Sequence, residues 1–193
     1  MLYKLGKIFF WVILKIFFKF KVRGVENIPK EGGFILAVNH ASFLDPIVIG
    51  VASPRELLFL AKEQLFVNPF FAWLIRQVHA VPLKRNKMDI TAIKKAISWV
   101  SRGGALLIFP EGKRTEDGSV GKLQEGIGFL AQRLKVPVIP AYLSGTYKAL
   151  PKGHWRIRLV PLSVTFGKQI VMERRMAYQD FADVVKYAIE SLA

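Results

Sequence analysis

Residues 34–46 read Phe-Ile-Leu-Ala-Val-Asn-His-Ala-Ser-Phe-Leu-Asp-Pro. The first five are apolar and follow Gly32-Gly33, a pattern that predicts a buried strand over 34–38. Asp45-Pro46 predicts the start of a helix near 45–52, because proline is tolerated in a first helical turn, where its missing N–H would have no partner anyway. The polar residues between the strand and the helix are therefore expected to form a turn at a strand end.

His40 and Asp45 both belong to this turn. On a helix they would lie roughly 140° apart, and on a strand they would face opposite sides, so they can meet only across a turn. There the carboxylate would accept the N–H of one imidazole nitrogen and leave the other nitrogen free to act as a base. From this block alone, a helix-capping Asp beside an unrelated loop His explains the same residues.

A second motif follows another buried-strand pattern, at residues 105–109. It reads Pro110-Glu111-Gly112-Lys113-Arg114-Thr115. Glycine lets the backbone approach a ligand closely, and adjacent lysine and arginine side chains suit a phosphate group. The second motif therefore indicates a phosphate-binding loop at a strand end.

Four blocks of this chain resemble, in order and spacing, those of the glycerolipid acyltransferase family, with the bacterial 1-acylglycerol-3-phosphate acyltransferases as the most similar branch. The family blocks are N-H-x4-D, a block like G-A-x-P-V-x-R, F-P-E-G-T-R-S and V-P-V-I-P. They stand here as Asn39–Asp45, His79–Arg85, Phe109–Thr115 and Val136–Pro140. Four blocks in family order are far more specific than any one of them.

The resemblance implies an enzyme that moves a fatty acyl group from an acyl thioester to the 2-hydroxyl of 1-acylglycerol-3-phosphate (lysophosphatidic acid), making phosphatidic acid. The donor would be acyl-carrier protein or acyl-coenzyme A, and no cofactor is expected. His40 would accept the hydroxyl proton, and Asp45 would fix the tautomer of His40. Glycerol-3-phosphate or another lysophospholipid is an alternative acceptor. A non-catalytic lipid-binding membrane protein is an alternative of a different class, and it has no need of a His–Asp pair.

The resemblance assigns the phosphate of the acceptor to Arg85 and to the Glu111-Gly112 block. Other cations would share the phosphate charge, although each taken singly also fits a solvated surface position: Lys84, Lys113 and Arg114. Glu111 cannot bind phosphate directly, so it would hold a cation or a glycerol hydroxyl, or serve as a structural turn residue.

Two polar residues of the first block are expected to assist the pair. Asn39 would support the turn or the oxyanion, and backbone N–H groups at the following helix start would also bind the oxyanion. Ser42 is expected to hydrogen-bond within the turn. A covalent Ser42-acyl intermediate is the alternative.

The chain departs from the family blocks at two positions. His79 stands where the family usually has Gly, which puts the backbone geometry of that turn in question. Lys113 stands where the family usually has Thr, which would add a phosphate contact. His79 and His154 are the only histidines besides His40, and neither has metal-ligand spacing, so no metal is expected.

The composition is both apolar and basic. Of the 193 residues 52% are hydrophobic, and 29 Lys and Arg outnumber 14 Asp and Glu, for a net charge of +15. Such a charge suits nucleic acid, or an anionic membrane with phosphorylated substrates. Without zinc-ligand spacing, an aromatic RNA-binding motif or a helix-turn-helix pattern, membrane phospholipids are the expected partner and nucleic acid is not. The lack of Cys excludes disulfides and a thiol nucleophile.

Residues 1–20 predict an amphipathic helix that lies in a membrane interface. Its four lysines fall inside an arc of roughly 120° on a helical wheel, with Leu, Ile, Phe, Trp and Val on the remaining face. The longest uncharged run, 8–14, is far short of the roughly 20 residues that span a bilayer, and no signal-peptide cleavage site follows. A helix packed on the protein's own core is the alternative. The expected localisation is the cytoplasmic face of the cell membrane, peripheral or monotopic.

Residues 21–193 are expected to form one acyltransferase domain. Alternating strands and helices predict an α/β fold with a mixed, largely parallel sheet flanked by helices, and with the catalytic turns gathered at one sheet edge. Further strands are predicted at 20–25, 57–61, 79–83, 136–142, 156–160 and 162–167, and helices at 88–102, 122–134 and 179–192. The aromatic-rich stretch 65–78 fits protein core, an acyl-chain groove or a lipid contact.

Overall fold

The computed structural model describes residues 2–84 and 89–193, which contain seven strands and seven α-helices. The strands are β1 (Lys21–Arg23), β2 (Phe34–Val38), β3 (Leu57–Lys62), β4 (Ala80–Leu83), β5 (Ala105–Ile108), β6 (Val138–Ser144) and β7 (Ser163–Phe166). The helices are α1 (Leu2–Phe18), α2 (Asp45–Ala52), α3 (Pro69–Arg76), α4 (Ile90–Ser101), α5 (Gly126–Leu134), α6 (Thr146–Ala149) and α7 (Tyr178–Glu190). Short 3-10 helices occupy Val25–Asn27 and Glu63–Phe66.

The seven strands form one sheet in the order β1-β7-β6-β2-β5-β3-β4. The central strand β2 is parallel to both of its neighbours, β5 and β6, and β3 and β4 continue in the same direction. β7 is antiparallel to β6, and β1 runs parallel to β7 at one edge of the sheet. The predicted α/β fold with a mixed, largely parallel sheet flanked by helices is therefore confirmed.

β2 lies at the centre of the core, and all five of its residues are fully buried. A parallel strand with helices on both faces is expected to be apolar throughout. Phe34, Leu36 and Val38 pack on the face covered by α1 and α2. Ile35 and Ala37 pack on the opposite face, covered by α4, α5 and α7. Packing on both sides fixes the end of β2, and the residue pair Asn39-His40 follows directly.

Local sequence patterns predicted the start of α2 correctly but placed the start of α5 too early. α2 begins at Asp45, as the Asp45-Pro46 pair predicts. The predicted helix 88–102 is α4, and its first predicted residue, Met88, lies outside the described residues. α5 begins at Gly126 and not at 122, because Leu123 is fully buried and the Gln124 N–H donates to the Pro110 carbonyl at 2.8 Å. Residues 122–125 are thus held against the second motif.

The strand predicted at 156–160 is wrong. Residues 154–162 form neither helix nor strand, and every residue from 152 to 159 is exposed. The alternation of apolar and basic side chains suggested a strand, but such alternation marks a strand only when one face is buried against a neighbour. The short helix α6, just before this segment, was not predicted.

α1 packs on the rest of the protein along one narrow stripe and leaves its other faces exposed. Tyr3, Leu14 and Phe18 are buried in that stripe. Lys7 also turns toward the domain, where its Nζ donates a hydrogen bond to the Ser53 carbonyl, so the four lysines do not share one solvent-facing arc. Large apolar side chains remain exposed on α1: Leu5, Ile8, Phe9, Phe10, Trp11, Val12, Ile16 and Phe17. Within residues 2–84 and 89–193, no helix combines the length and apolar character needed to cross a membrane.

The aromatic-rich stretch 65–78 forms the end of a 3-10 helix and α3. Within α3 only Ala72 is buried. The large apolar side chains of this stretch are mainly exposed: Leu65, Val67, Phe70, Phe71, Trp73 and Leu74. Of the three interpretations left open, protein core does not describe these side chains.

Candidate active site

The two motifs meet at the carboxyl ends of β2 and β5, which are neighbours in the sheet. The register pairs Ala37 with Ile108, so the chain leaves both strands at the same edge. The backbone of His40 is then held from both sides by the second motif. Its N–H donates to Glu111 Oε1 at 3.0 Å, and its carbonyl accepts from the Thr115 N–H at 2.9 Å. Two segments far apart in sequence thus form one turn region.

His40 and Asp45 meet across the turn, the one arrangement in which their spacing lets them meet. His40 Nδ1 lies 2.8 Å from Asp45 Oδ2. A carboxylate only accepts, so Nδ1 carries the proton in the neutral ring and Nε2 keeps its lone pair. The imidazole also stacks on Phe109, with ring centroids 4.1 Å apart and planes 19° apart. The ring therefore has one orientation and presents one basic nitrogen, and its side chain is 15% exposed.

Asp45 is fully buried and organises the turn around His40. Besides His40 Nδ1, its Oδ2 accepts hydrogen bonds from the backbone N–H groups of Ala41 and Ser42, each at 2.7 Å. Three donors on one oxygen fix the orientation of the carboxylate. They also mean that these two N–H groups are engaged by Asp45 and are not directed at an oxyanion.

Asn39 and Ser42 are buried and make hydrogen bonds within the protein. The Asn39 amide joins the end of β2 to β6: Nδ2 donates to the Leu143 carbonyl at 3.1 Å, and Oδ1 accepts from the Leu143 N–H at 2.7 Å. Ser42 Oγ donates to the Leu150 carbonyl at 2.8 Å and accepts from the Leu44 N–H at 3.1 Å. This geometry favours support of the turn for both residues over substrate contact or a covalent role.

Glu111 is a buried carboxyl group placed next to the candidate base. The pKa of Glu111 is raised to about 7, mainly by burial and also by the negative charge of Asp45, against the lowering effect of the hydrogen bond from the His40 N–H. A Cβ atom added at Gly121 would stand 3.2 Å from Glu111 Oε2, so glycine there leaves room for the carboxyl group. Glu111 Oε1 accepts its hydrogen bond from the backbone of His40, which matches the interpretation of Glu111 as a structural turn residue.

The cations of the second motif differ in how firmly they are placed. The guanidinium carbon of Arg114 lies 3.5 Å from the centroid of the Phe43 ring, and the residue is half-buried. Lys113 is exposed. Gly112 has φ 72°, and an added Cβ would find its nearest atom, on Gln124, at 3.7 Å. The left-handed backbone at 112 is one that glycine adopts at no steric cost.

Lys84, at the end of β4, is separated laterally from this turn. β5 and β3 lie between β2 and β4, and at about 4.8 Å per strand the end of β4 is roughly 14 Å from the end of β2. Lys84 is exposed, and its backbone N–H donates to Asp89 Oδ2 at 3.1 Å. Arg85 lies outside the described residues. No described contact joins Lys84 to the His40 turn.

His79 keeps the backbone conformation that a glycine would suit. Its φ of 61° lies in the left-handed region, which costs a residue with a Cβ more than it costs glycine. The ring stacks on Tyr3 with centroids 5.6 Å apart and lies 4.8 Å from the ring of Trp99. Nε2 is 3.0 Å from Glu56 Oε2. These contacts tie α1 and α4 to the start of β4.

The sequence did not reveal the role of Phe109. It was the last residue of an apolar run, and only the pairing of β5 with β2 places its ring against His40. Thr115, whose N–H holds the His40 carbonyl, was likewise only the end of a motif. Within residues 2–84 and 89–193, no cluster of three or more His, Asp or Glu side chains has the arrangement of a metal site.

Comparison with known proteins identifies the family. A family model described as "Acyltransferase" matches residues 19–144, well over half of the chain and a range that includes all four blocks. The chain belongs to the acyltransferase family. The His–turn–Asp geometry at the end of β2 is thus set in a fold and a motif order that the family shares.

Two curated relatives and one solved structure define the likeness further. A 1-acyl-sn-glycerol-3-phosphate acyltransferase of Bacillus subtilis is 33% identical over 69% of this chain and 67% of its own length. A chloroplastic 1-acyl-sn-glycerol-3-phosphate acyltransferase of Brassica napus is 31% identical over 82% of this chain, and the match spans about half of that relative, 49%. The crystal structure of PlsC, the 1-acyl-sn-glycerophosphate acyltransferase of Thermotoga maritima, superposes with a TM-score of 0.81 at 30% identity, covering 99% of this chain and 78% of that one.

Proposed function

We propose that this protein transfers a fatty acyl group from an acyl thioester to the 2-hydroxyl of 1-acylglycerol-3-phosphate and so makes phosphatidic acid. The observation that carries the proposal is the buried Asp45 carboxylate 2.8 Å from His40 Nδ1, which leaves Nε2 as a base. The names of the Bacillus and Thermotoga relatives support the acceptor. A protein that only carried lipid would have no use for this pair.

In the proposed reaction the acceptor takes the place that serine has in a catalytic triad. The 2-oxygen of the glycerol attacks the thioester carbonyl carbon while His40 Nε2 takes the hydroxyl proton. Asp45 stabilises the imidazolium that forms. The tetrahedral intermediate then expels the thiolate, which takes the proton from His40, so the products are an ester and a free thiol. A base in this position contributes roughly 10²–10⁴-fold to the rate.

The acceptor phosphate is proposed to bind the cations at the same sheet edge. Arg114 is the best placed of those described, because its stacking on Phe43 fixes a guanidinium beside the turn, and a guanidinium offers paired donors to phosphate. Lys113 adds charge at the surface. Lys84 and Arg85 remain part of the proposal at the end of β4, on the basis of the family block. Glu111 is proposed to act on the turn and not on the phosphate.

We further propose that residues 1–20 form a membrane-associated element and residues 21–193 the catalytic domain. The exposed apolar side chains of α1, together with the exposed Lys4 and Lys15, support insertion into an interface with anionic lipid. The protein would then sit as a peripheral or monotopic protein on the cytoplasmic face of the cell membrane. Its partners would be membrane phospholipids, lysophosphatidic acid, and acyl-carrier protein or acyl-coenzyme A.

The test is acyl transfer by the purified full chain with both thioester donors and three competing acceptors: lysophosphatidic acid, glycerol-3-phosphate and a lysophospholipid with a larger headgroup. We expect phosphatidic acid as the main product, and its rate with each donor tells which thioester is used. Preferential acylation of glycerol-3-phosphate would overturn the acceptor. His40→Ala is the matched control. A wild type with no transfer from either donor, yet with bound lipid, would favour the lipid-carrier interpretation.

A further inference from the structure

The 152–159 segment is an exposed stretch that the proposed chemistry does not use. It runs from Lys152 to Leu159, and all of its residues are exposed. Three are large and apolar, and their exposed fractions are high: Trp155 80%, Ile157 52% and Leu159 65%. Large apolar side chains exposed together in one short segment of a folded protein indicate an interaction site.

The segment is anchored next to the candidate active site at its beginning. The Leu150 carbonyl accepts a hydrogen bond from Ser42 Oγ at 2.8 Å, inside the turn that carries His40. The Arg158 N–H donates to the Ala149 carbonyl at 2.8 Å, which holds the segment close to α6. The 152–159 segment therefore begins beside the turn that carries His40.

At its other end the segment reaches the membrane-facing helix. The Leu162 N–H donates to the Phe18 carbonyl at 2.9 Å, and the Lys21 N–H donates to the Leu162 carbonyl at 3.0 Å. Phe18 is the last residue of α1, and Ile16 and Phe17 just before it are exposed. The apolar surface of the 152–159 segment thus lies between the catalytic turn and the exposed end of α1.

The charged side chains of the segment itself are all basic. No Asp or Glu occurs between Gly126 and Met172. Arg156 and Arg158 alternate with the apolar side chains, and the Arg156 guanidinium carbon lies 4.8 Å from the centroid of the Trp155 ring. Lys152 forms an ion pair with Glu116 at 2.8 Å. Arg156 and Arg158 are therefore the basic residues of the segment that we consider as contacts to an anionic partner.

We propose that the 152–159 segment is a second membrane contact, which inserts Trp155, Ile157 and Leu159 into the acyl boundary of a bilayer and places Arg156 and Arg158 on anionic lipid phosphates. An interface of this chemistry, apolar below and anionic above, complements alternating apolar and arginine side chains. The inference rests on the proposed membrane association of α1, whose last residue, Phe18, is hydrogen-bonded to Leu162 just beyond the segment. The two contacts would place the catalytic turn where a lipid acceptor leaves the bilayer.

The direct test is tryptophan quenching on vesicles. A full chain with Trp11→Phe and Trp73→Phe keeps Trp155 and the half-buried Trp99. It is mixed with vesicles of phosphatidylcholine and phosphatidylglycerol that carry brominated acyl chains. We expect a blue-shifted, strongly quenched fraction that disappears when Trp155→Phe is added. A protein that sediments with the vesicles without quenching of Trp155 would overturn this inference alone, and a protein that does not sediment would overturn the membrane association of α1 as well.

A triple variant, Trp155→Ser, Ile157→Ser and Leu159→Ser, measures the contribution to binding. We expect its affinity for the same vesicles to fall roughly tenfold or more, because interfacial binding scales with buried apolar area, while its turnover on detergent-dispersed substrate stays near wild type. Tyr187→Ser on α7, exposed on the opposite face of the sheet, is the matched control and should bind like wild type.

Charge dependence separates lipid from an acidic protein. Arg156→Ala with Arg158→Ala should weaken binding to vesicles with phosphatidylglycerol by several-fold and leave binding to pure phosphatidylcholine vesicles nearly unchanged. If these variants bind both vesicles like wild type but lose turnover only with acyl-carrier protein as donor, the segment docks an acidic protein and the lipid inference is wrong. Acyl transfer in detergent tests the proposed function independently of either result.

Discussion

Glu111 holds His40 through the backbone and not through the imidazole ring. Its Oε1 accepts the hydrogen bond of the His40 N–H at 3.0 Å, while Asp45 takes the ring Nδ1 at 2.8 Å. Two carboxyl groups therefore hydrogen-bond to one histidine: Glu111 binds its main chain, and Asp45 binds its side chain. Burial, which is complete for Asp45 and nearly so for Glu111, keeps both contacts away from competing water.

Glu111→Gln should change the pH dependence of stability. Burial raises the pKa of Glu111 from 4.5 to about 7, so the folded state holds the proton more tightly than the unfolded chain. Stability from the protonated carboxyl is fully present below pH 4.5 and is lost as the pH rises through about 7. Glutamine does not titrate, so the variant should gain on wild type between pH 5 and pH 8, by an amount on the order of 2–3 kcal/mol.

Thermal unfolding across that pH range measures the difference. The melting temperature of the variant relative to wild type should rise by roughly 5–10 °C from the acidic to the basic end. Glu31→Gln, at an exposed turn position, is the matched control and should show no such trend. A parallel pair of curves for Glu111→Gln and wild type would mean that the carboxyl group is not desolvated in solution.

The helices and strands around the site could be predicted where the information was local. Asp45-Pro46 located the start of α2, and Gly32-Gly33 with the apolar run located β2, because proline, glycine and unbroken apolarity act within a few residues. The 156–160 strand failed because the alternation there has no partner strand, which only the sheet order decides. Asn39 shows the same limit within the site: its amide bonds Leu143, a residue that no local pattern links to it.

Asp45→Asn should lower kcat at least roughly 100-fold with little change in either KM. The amide can donate where the carboxylate accepts from His40, Ala41 and Ser42, so it favours the wrong imidazole tautomer. Steady-state kinetics with the donor and acceptor varied in turn give the split. The double variant with His40→Ala should be no slower than His40→Ala alone, since both residues are proposed to act on one proton transfer. A further loss in that background would show that Asp45 acts independently of His40.

Arg114→Ala should raise the acceptor KM roughly tenfold or more and leave the donor KM nearly unchanged. The side chain is fixed over the Phe43 ring at 3.5 Å, and a charge-assisted contact to phosphate contributes about 1.5–3 kcal/mol. Lys122→Ala, which removes an exposed cation from the nearby loop, is the matched control and should change neither KM much. If the donor KM rises instead, Arg114 belongs to the thioester site.

Exposed residues of α1 should decide whether salt can remove the protein from a membrane. Deleting residues 1–18 would uncover core next to Leu14 and Phe18, so point changes are the cleaner test. Phe9→Ser with Ile16→Ser removes two of the most exposed apolar side chains of α1, 60% and 66% exposed, without touching the buried stripe.

High salt screens the attraction of lysine to anionic lipid but does not weaken apolar insertion. Sedimentation of vesicle-bound protein, washed with low and high salt, should therefore release little wild type and much of this double variant. Val184→Ser on α7, at an exposed position of the opposite face, should behave like wild type. Complete release of wild type by salt alone would mean that α1 rests on headgroups without entering the acyl boundary. The apolar substrate would then have to reach His40 by another surface.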